Sequence, residues 1–216
     1  MIVIFDLDKT ITKKDTYLRF IFFFLFFYPQ RIFRSYSIIL PTIIYFFKLL
    51  TDQELKTIFW KNFFKGVEKK SLEEISIKFA SRIIEKGLYK DATIEIKKLQ
   101  KSGHHLILAS ASLDIYVKQI GKKLKMDKVI ATKVEFDDTN KVTGNLKTKN
   151  LKGNAKLEKI RDYLNQDKGN KKTIAYSDHI SDLPLLKWCD QGVVVNGKKD
   201  ILIEADKRGF KVLKWK

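Results

Sequence analysis

From Gly87 onward the chain alternates short β-branched apolar runs with longer stretches of helical spacing, and this alternation leaves few folds open. The spacing predicts a helix over 91–102, with Ile94, Ile96 and Leu99 as its apolar contacts, and a strand over 106–109. A helix over 113–124 and a strand over 129–131 follow. Residues 134–136 and 142–146 flank Asp137-Asp138-Thr139-Asn140, a hairpin signal. Helix over 154–164, strand over 173–176, helix over 183–188, strand over 193–195 and helix over 200–207 complete the pattern. Strands separated by helices pair in parallel and need helices on both faces, so the expected class is α/β with a mostly parallel sheet.

One strand stands apart. Ile2-Val3-Ile4-Phe5 reads as a fully buried strand, yet the next strand comes only after a long stretch, 17–88, that reads as helix. Within it, 52–64 and 71–86 are amphipathic. Ser71 followed by Glu74 has the form of a capping box, and Gly87 suits a C-terminal stop. The chain of 216 residues is therefore one α/β domain interrupted after its first strand by about 75 helical residues, a length small domains reach.

Twelve of the sixteen phenylalanines fall between Tyr17 and Phe64, so the aromatic excess belongs to that insertion. Phe20 to Tyr28 is unbroken apolar and ends at Pro29, and Tyr36 to Phe47 carries no charge. Both runs are shorter than the roughly 20 residues that span a bilayer. Asp6 and Asp8 stand where a signal peptide needs basic residues. The runs read first as buried helices of a helical module. A second reading is a hairpin lying on a membrane, helped by Arg19, Arg31, Arg34 and Lys48.

Net charge is +18. That suits nucleic acid, anionic lipid or a phosphorylated substrate, and equally a lysine-rich surface with no partner. No run of five basic residues occurs, which argues against a nucleic-acid tail. The single cysteine, Cys189, excludes an internal disulfide and a cysteine zinc cluster, and fits a reducing, cytoplasmic setting.

Ligands of open parallel sheets bind beyond the carboxyl ends of the strands. The first strand ends in Asp6-Leu7-Asp8-Lys9-Thr10, with two carboxylates whose repulsion a cation would relieve, or two ordinary turn aspartates. The second ends in Ser110-Ala111-Ser112, an anion cradle or a helix cap. Lys156 follows Gly153 early in a helix, where the dipole disfavours a cation. Tyr176-Ser177-Asp178-His179-Ile180-Ser181-Asp182 again puts carboxylates at a strand end. His104, His105 and Cys189 read as structural. No GxGxxG or Walker loop occurs, which disfavours nucleotide-cofactor enzymes and P-loop ATPases.

In this order, carboxylates, hydroxyl, lysine and carboxylates, the chain resembles the haloacid dehalogenase-like hydrolase superfamily, whose members are mostly phosphatases. Asp6 to Thr10 matches its DxDx[TV] motif, Leu106 to Ser110 its second motif, Lys156 its third, and Ser177-Asp178-x-x-x-Asp182 its [GS]DxxxD motif. The resemblance implies a Rossmann-like core, 1–14 and 89–216, with an inserted all-helical C1-type cap, 15–88. It is similar to the phosphoserine-phosphatase-like branch, subfamily IB, in which Ser177 replaces the commoner Gly.

The resemblance implies Asp6 as nucleophile forming an aspartyl-phosphate, Asp8 as general acid and then base, Ser110 and Lys156 as phosphoryl contacts, and Thr10, Ala111 and Ser112 beside the substrate. It implies Mg²⁺ on Asp6, the Asp8 carbonyl and Asp178, with Asp182 orienting a ligand water or Lys156. Asp15 stands nine residues after the nucleophile, where phosphoserine phosphatases hold a substrate amine with a longer acid; it also suits a helix N-cap. The expected activity is Mg²⁺-dependent hydrolysis of a small phosphorylated metabolite. The alternative is a lipid phosphate at the inner membrane face, as in phosphatidylglycerophosphatase C-type proteins, which the apolar helices resemble. A non-enzymatic basic binding module ranks last, because acidic strand ends repel a nucleic-acid backbone.

Overall fold

The computed structural model describes residues 1–164 and 171–216. Strand β1 (Ile2–Phe5) lies at the centre of a six-stranded sheet. The chain then forms helices α1 (Thr16–Phe27), α2 (Tyr36–Phe46), α3 (Asp52–Phe64) and α4 (Lys69–Lys86), with a 3-10 segment, Pro29–Ser35, between the first two. It returns through α5 (Lys90–Lys101) to β2 (His105–Leu113), α6 (Asp114–Lys123) and β3 (Lys128–Thr132). The hairpin β4 (Val134–Phe136) and β5 (Val142–Leu146) follows. Helix α7 (Asn154–Leu164), β6 (Thr173–Ser177), α8 (Leu183–Trp188), β7 (Gln191–Val195), α9 (Lys199–Arg208) and β8 (Lys211–Leu213) close the fold.

The sheet order is β3-β2-β1-β6-β7-β8, with every pairing parallel. Both neighbours of β1 come from later in the chain, so the strand order turns outward on either side of it. That arrangement opens a crevice at the carboxyl end of β1. Alternation along β1 divides the core: Val3 and Phe5 face the layer containing α4 and α6, and Ile2 and Ile4 face α7, α8 and α9. The expected α/β class with an inserted helical cap is the observed one.

Four local expectations need correction. Helix α4 begins at Lys69, not at Ser71, and Glu68 is its N-cap residue. Glu68 bridges Lys141, and the Lys69 N–H donates to the Asn140 carbonyl, so the hairpin holds the chain before the helix starts. A reciprocal capping box does occur, at Thr51 and Glu54. Ile94 is exposed, because Ala92, Ile96 and Leu99 make the buried face of α5. Residues 110–112 continue β2 through an irregularity and do not open α6. Edge strand β8 was not expected; it has only three residues, and its pairing with β7 defines it.

The insertion also departs from the expectation of buried helices. Phe20 and Phe24 of α1, Trp60 and Phe64 of α3 and Phe79 of α4 form a dense aromatic core with Tyr116. Helix α2 buries no residue. Hydrophobic patterning says that a segment is apolar but not what covers it. No helix among the described residues is long and apolar enough to cross a membrane.

The hairpin β4–β5 clamps the back of the insertion. The Gly66 N–H donates to the Val142 carbonyl and the Val142 N–H to the Val67 carbonyl. Gly144 has φ +95°, and a side chain there would meet Lys61 Cγ at 2.8 Å. Glycine lets β5 run against the backbone of α3.

Candidate active site

The segments following β1 and β6, the last residues of β2 and the first turn of α7 converge on one cleft. Asp6 directly follows β1, and its N–H still pairs with the Tyr176 carbonyl of β6 at 3.0 Å. The chain then turns back tightly, with Ile11 and Thr12 N–H groups donating to the Leu7 carbonyl. The turn brings buried Thr10 under Asp6. The Thr10 hydroxyl lies 3.3 Å from Asp6 Oδ2 and 3.3 Å from Asp178 Oδ1, and it accepts the Asp178 N–H at 3.0 Å. One threonine thus joins the ends of β1 and β6.

Lys156 lies in the first turn of α7, buried, with Nζ 2.7 Å from Asp6 Oδ1 and 2.7 Å from Asp182 Oδ2. These carboxylates explain a cation that the helix dipole disfavours. Burial works against its charge, but Asp182 and Asp6 overcome this and hold the ammonium above its ordinary range. The Ser177 hydroxyl donates to Asp182 Oδ2 at 2.8 Å. Asp182 Oδ1 is buried and has no hydrogen-bond partner among the described residues.

Asp8 faces the insertion. Its Oδ1 accepts the Thr16 N–H and hydroxyl, each at 2.6 Å, and its Oδ2 accepts the Ser112 hydroxyl at 2.6 Å and that of Ser110 at 3.5 Å. The Ser110 oxygen also accepts the Ser112 N–H at 3.0 Å. The carbonyl of Ala111 points to the insertion and accepts Lys56 Nζ at 2.7 Å. Asp15 is the N-cap of α1, with Oδ1 accepting the Tyr17 and Leu18 N–H groups. Burial and the nearby Asp8 push its carboxyl upward.

Asp6, Asp8, Asp178 and Asp182 crowd one site, and the buried Lys156 ammonium pairs with Asp6 and Asp182. Burial, only partly offset by Lys156, pushes Asp6 up to about 8, with Asp182, Asp8 and Asp178 adding to the rise. Burial likewise raises Asp178 to about 6 against the Thr10 hydrogen bond. Such a site carries more negative charge than its own cation balances. No three side chains of the metal-binding types converge on one point among the described residues. The fit to a hard divalent cation rests instead on two carboxylates meeting at Thr10, on oxygen donors alone, and on the orphaned Asp182 oxygen.

These groups open on a cleft of about 480 Å³ between the sheet and the insertion. Its floor holds Asp6, Asp8, Lys156 and Asp178; its far wall includes Leu18, Phe46, Leu55 and Phe59. Two wall cations were not singled out in the sequence. Lys56 of α3 also reaches Asn150 Oδ1 at 2.6 Å, and burial depresses it to about 8 despite Asp8, Asp15 and Asp52. Lys152 pairs with Asp52, which also accepts the Tyr45 hydroxyl at 2.7 Å. Thr16, the ligand of Asp8, was missed as well. Asp8 and Thr16 are eight residues apart, and nothing in their spacing links them.

The family model described as haloacid dehalogenase-like hydrolase matches residues 3–187. Protein CicA of Caulobacter vibrioides is 24% identical over 220 residues, covering all of this chain and 88% of that one. A solved protein of unknown function from Bordetella pertussis Tohama I superposes with a TM-score of 0.81 at 19% identity, over 98% of this chain and 97% of that one. A phospho-aspartyl intermediate analogue of phosphoserine phosphatase superposes with a TM-score of 0.65 at 20% identity, over 99% and 92%.

Proposed function

The chain belongs to the haloacid dehalogenase-like hydrolases, and on that premise we propose that it is a Mg²⁺-dependent phosphomonoesterase that works through an aspartyl-phosphate on Asp6. The observation that carries this reading is the buried Asp6–Lys156–Asp182 chain, open to the same cleft as Asp8 and Asp178. Lys156 holds one Asp6 oxygen, which leaves Oδ2 toward Thr10 and the cleft. Asp6 attacks phosphorus, and the bond to the leaving oxygen breaks as Asp8 supplies that oxygen with a proton. Asp8 then takes a proton from the water that opens the acyl phosphate, which restores Asp6 and releases inorganic phosphate. The Ser110 and Ser112 hydroxyls orient Asp8, and the Lys156 ammonium balances charge at Asp6 throughout.

Asp6, Asp178 and the main-chain carbonyl of Asp8 would hold the metal, and Asp182 acts by aiming Lys156. A bound Mg²⁺ would supply positive charge to the phosphoryl oxygens and to the crowded carboxylates. The substrate is a small phosphate monoester whose organic part meets Lys56, Tyr17 and Leu55. The single branch signal for phosphoserine, Asp15, already caps α1 through one oxygen. The apolar wall formed by Leu18, Phe46 and Phe59 favours a second reading, a monoester with an apolar tail.

Turnover of p-nitrophenyl phosphate by the wild type, with and without chelator, and by Asp6→Asn tests the chemistry. We expect turnover only with Mg²⁺ present and none from Asp6→Asn. Full activity in Asp6→Asn, or turnover untouched by chelation, overturns the reading.

A further inference from the structure

Thirteen of the nineteen large apolar side chains exposed among the described residues fall between Leu18 and Leu49. Phe26 is 81% exposed and Phe33 77%. Along α1, Leu18, Phe22 and Phe26 repeat every four residues and make one outward stripe. Along α2, Tyr36, Ile39, Leu40, Ile43 and Phe47 make another. A solvent-facing surface of this apolar area is unusual for a protein that stands alone in water.

The charge around these stripes has one sign. No Asp or Glu occurs from Thr16 to Thr51, while Arg19, Arg31, Arg34 and Lys48 do. Lys78 and Arg82 of α4 sit over the rings of Phe27 and Phe23. Arg19 and Arg82 share a groove of about 420 Å³ with Phe22 and Phe26. None of these six cations pairs with a carboxylate among the described residues. A second copy would bring the same cations to this face and be repelled by it. A bilayer with anionic headgroups above an apolar interior complements both features.

The face is also continuous with the cleft. Leu18, the first residue of the α1 stripe, and Phe46, at the end of α2, both line it. We infer that the outer face of α1, the 3-10 segment and α2 docks on an anionic lipid surface, and that the cleft takes its phosphate monoester from that surface, with the apolar tail against Leu18 and Phe46. The substrate half of this inference rests on the phosphatase reading; the docking half does not.

The test uses the whole chain, sedimented with vesicles of phosphatidylcholine alone and with about one-third phosphatidylglycerol, at low and high salt. The wild type should pellet with the anionic vesicles only and be released by salt. Phe33→Glu/Leu40→Glu, which lies away from the cleft, should bind at least about tenfold more weakly. It should hydrolyse p-nitrophenyl phosphate as the wild type does but lose turnover of phosphatidic acid presented in vesicles. Several results overturn the docking: no anionic-vesicle binding, equal binding to phosphatidylcholine, full binding by the variant, or a wild-type dimer that the variant splits. Docking with unaltered p-nitrophenyl phosphate turnover but no action on phosphatidic acid overturns the substrate half. A wild type that binds vesicles yet turns over no monoester sinks the phosphatase reading and leaves the docking standing.

Discussion

Replacing Lys156 with methionine removes the cation that pairs with Asp6 and Asp182 and keeps a side chain of similar length. The side chains of Lys156 and Asp182 are each 3% exposed and that of Asp6 10%, so solvent replaces almost none of the lost charge. Two hydrogen bonds to charged groups vanish, and two carboxylates stay buried without their counter-ion. Removing one partner of a buried pair costs about 3 to 5 kcal/mol. For a chain of this size that lowers the thermal midpoint by about 10 °C. The lysine is held above its ordinary 10.5. Its contribution is therefore complete below that pH and is lost only as pH rises through the folded value.

Acid acts on the variant in the opposite sense. Asp6 is raised to about 8 with the lysine present, and its loss pushes the carboxyl higher still. Protonation of Asp6 removes the uncompensated charge, so the deficit of Lys156→Met should be smaller at pH 5 than at pH 8. Urea unfolding of the metal-free protein at both values measures it. A cycle with Asp182→Asn isolates the pair: the double variant should be more stable than additivity allows by about 2 kcal/mol, since no orphaned charge remains at 182. A deficit under about 1 kcal/mol, or strict additivity, refutes the claim that this lysine balances the carboxylates.

Three further outcomes follow from named contacts. Asp178 has a folded value near 6, above its ordinary 3.8, so its charge opposes folding once pH exceeds the lower value. Asp178→Asn should raise the metal-free midpoint at pH 8, leave it unchanged near pH 3, and abolish the rise expected of the wild type on adding Mg²⁺; thermal scans check this, and a fall at pH 8 contradicts it. Gly144→Ala should cost about 2 kcal/mol or more in urea unfolding, because φ +95° strains an alanine and its Cβ meets Lys61. Lys56 is charged below about 8 and neutral above it. The KM of monoesters carrying a second anionic group should therefore climb above that pH, and Lys56→Met should raise KM about tenfold at pH 7 and flatten the profile, with kcat little changed.

How legible the chain was depended on whether a feature is local. Asp6, Asp8 and Thr10 share one tight turn, so their spacing already carried the geometry, and Lys156 betrayed itself by sitting where a helix dipole disfavours it. The strands other than β8, and the hairpin, were readable because their alternation and turn residues are contiguous. Lys56, Lys152 and Thr16 were not, since each contact joins the insertion to the core: Lys56 to Ala111 and Asn150, Lys152 to Asp52, and Thr16 to Asp8. The Ser71–Glu74 cap failed for a related reason: the hairpin from residues 134–146 holds Glu68 and starts the helix early.

Helix α2 shows the same limit from the other side. Its run of apolar residues was plain in the sequence, and a buried helix was the natural reading, but burial needs a partner layer that the described residues do not supply. The core of the insertion is already filled by Phe20, Phe24, Trp60, Phe64 and Phe79. Leaving large apolar groups in water forgoes roughly 1.5 to 3 kcal/mol for each one that could be buried. An insertion with a complete core and a second, uncovered apolar face therefore carries more hydrophobic surface than folding consumes. That surplus adjoins the cleft rim and lies among cations that pair with no carboxylate among the described residues, so the face proposed to dock is continuous with the wall of the cleft.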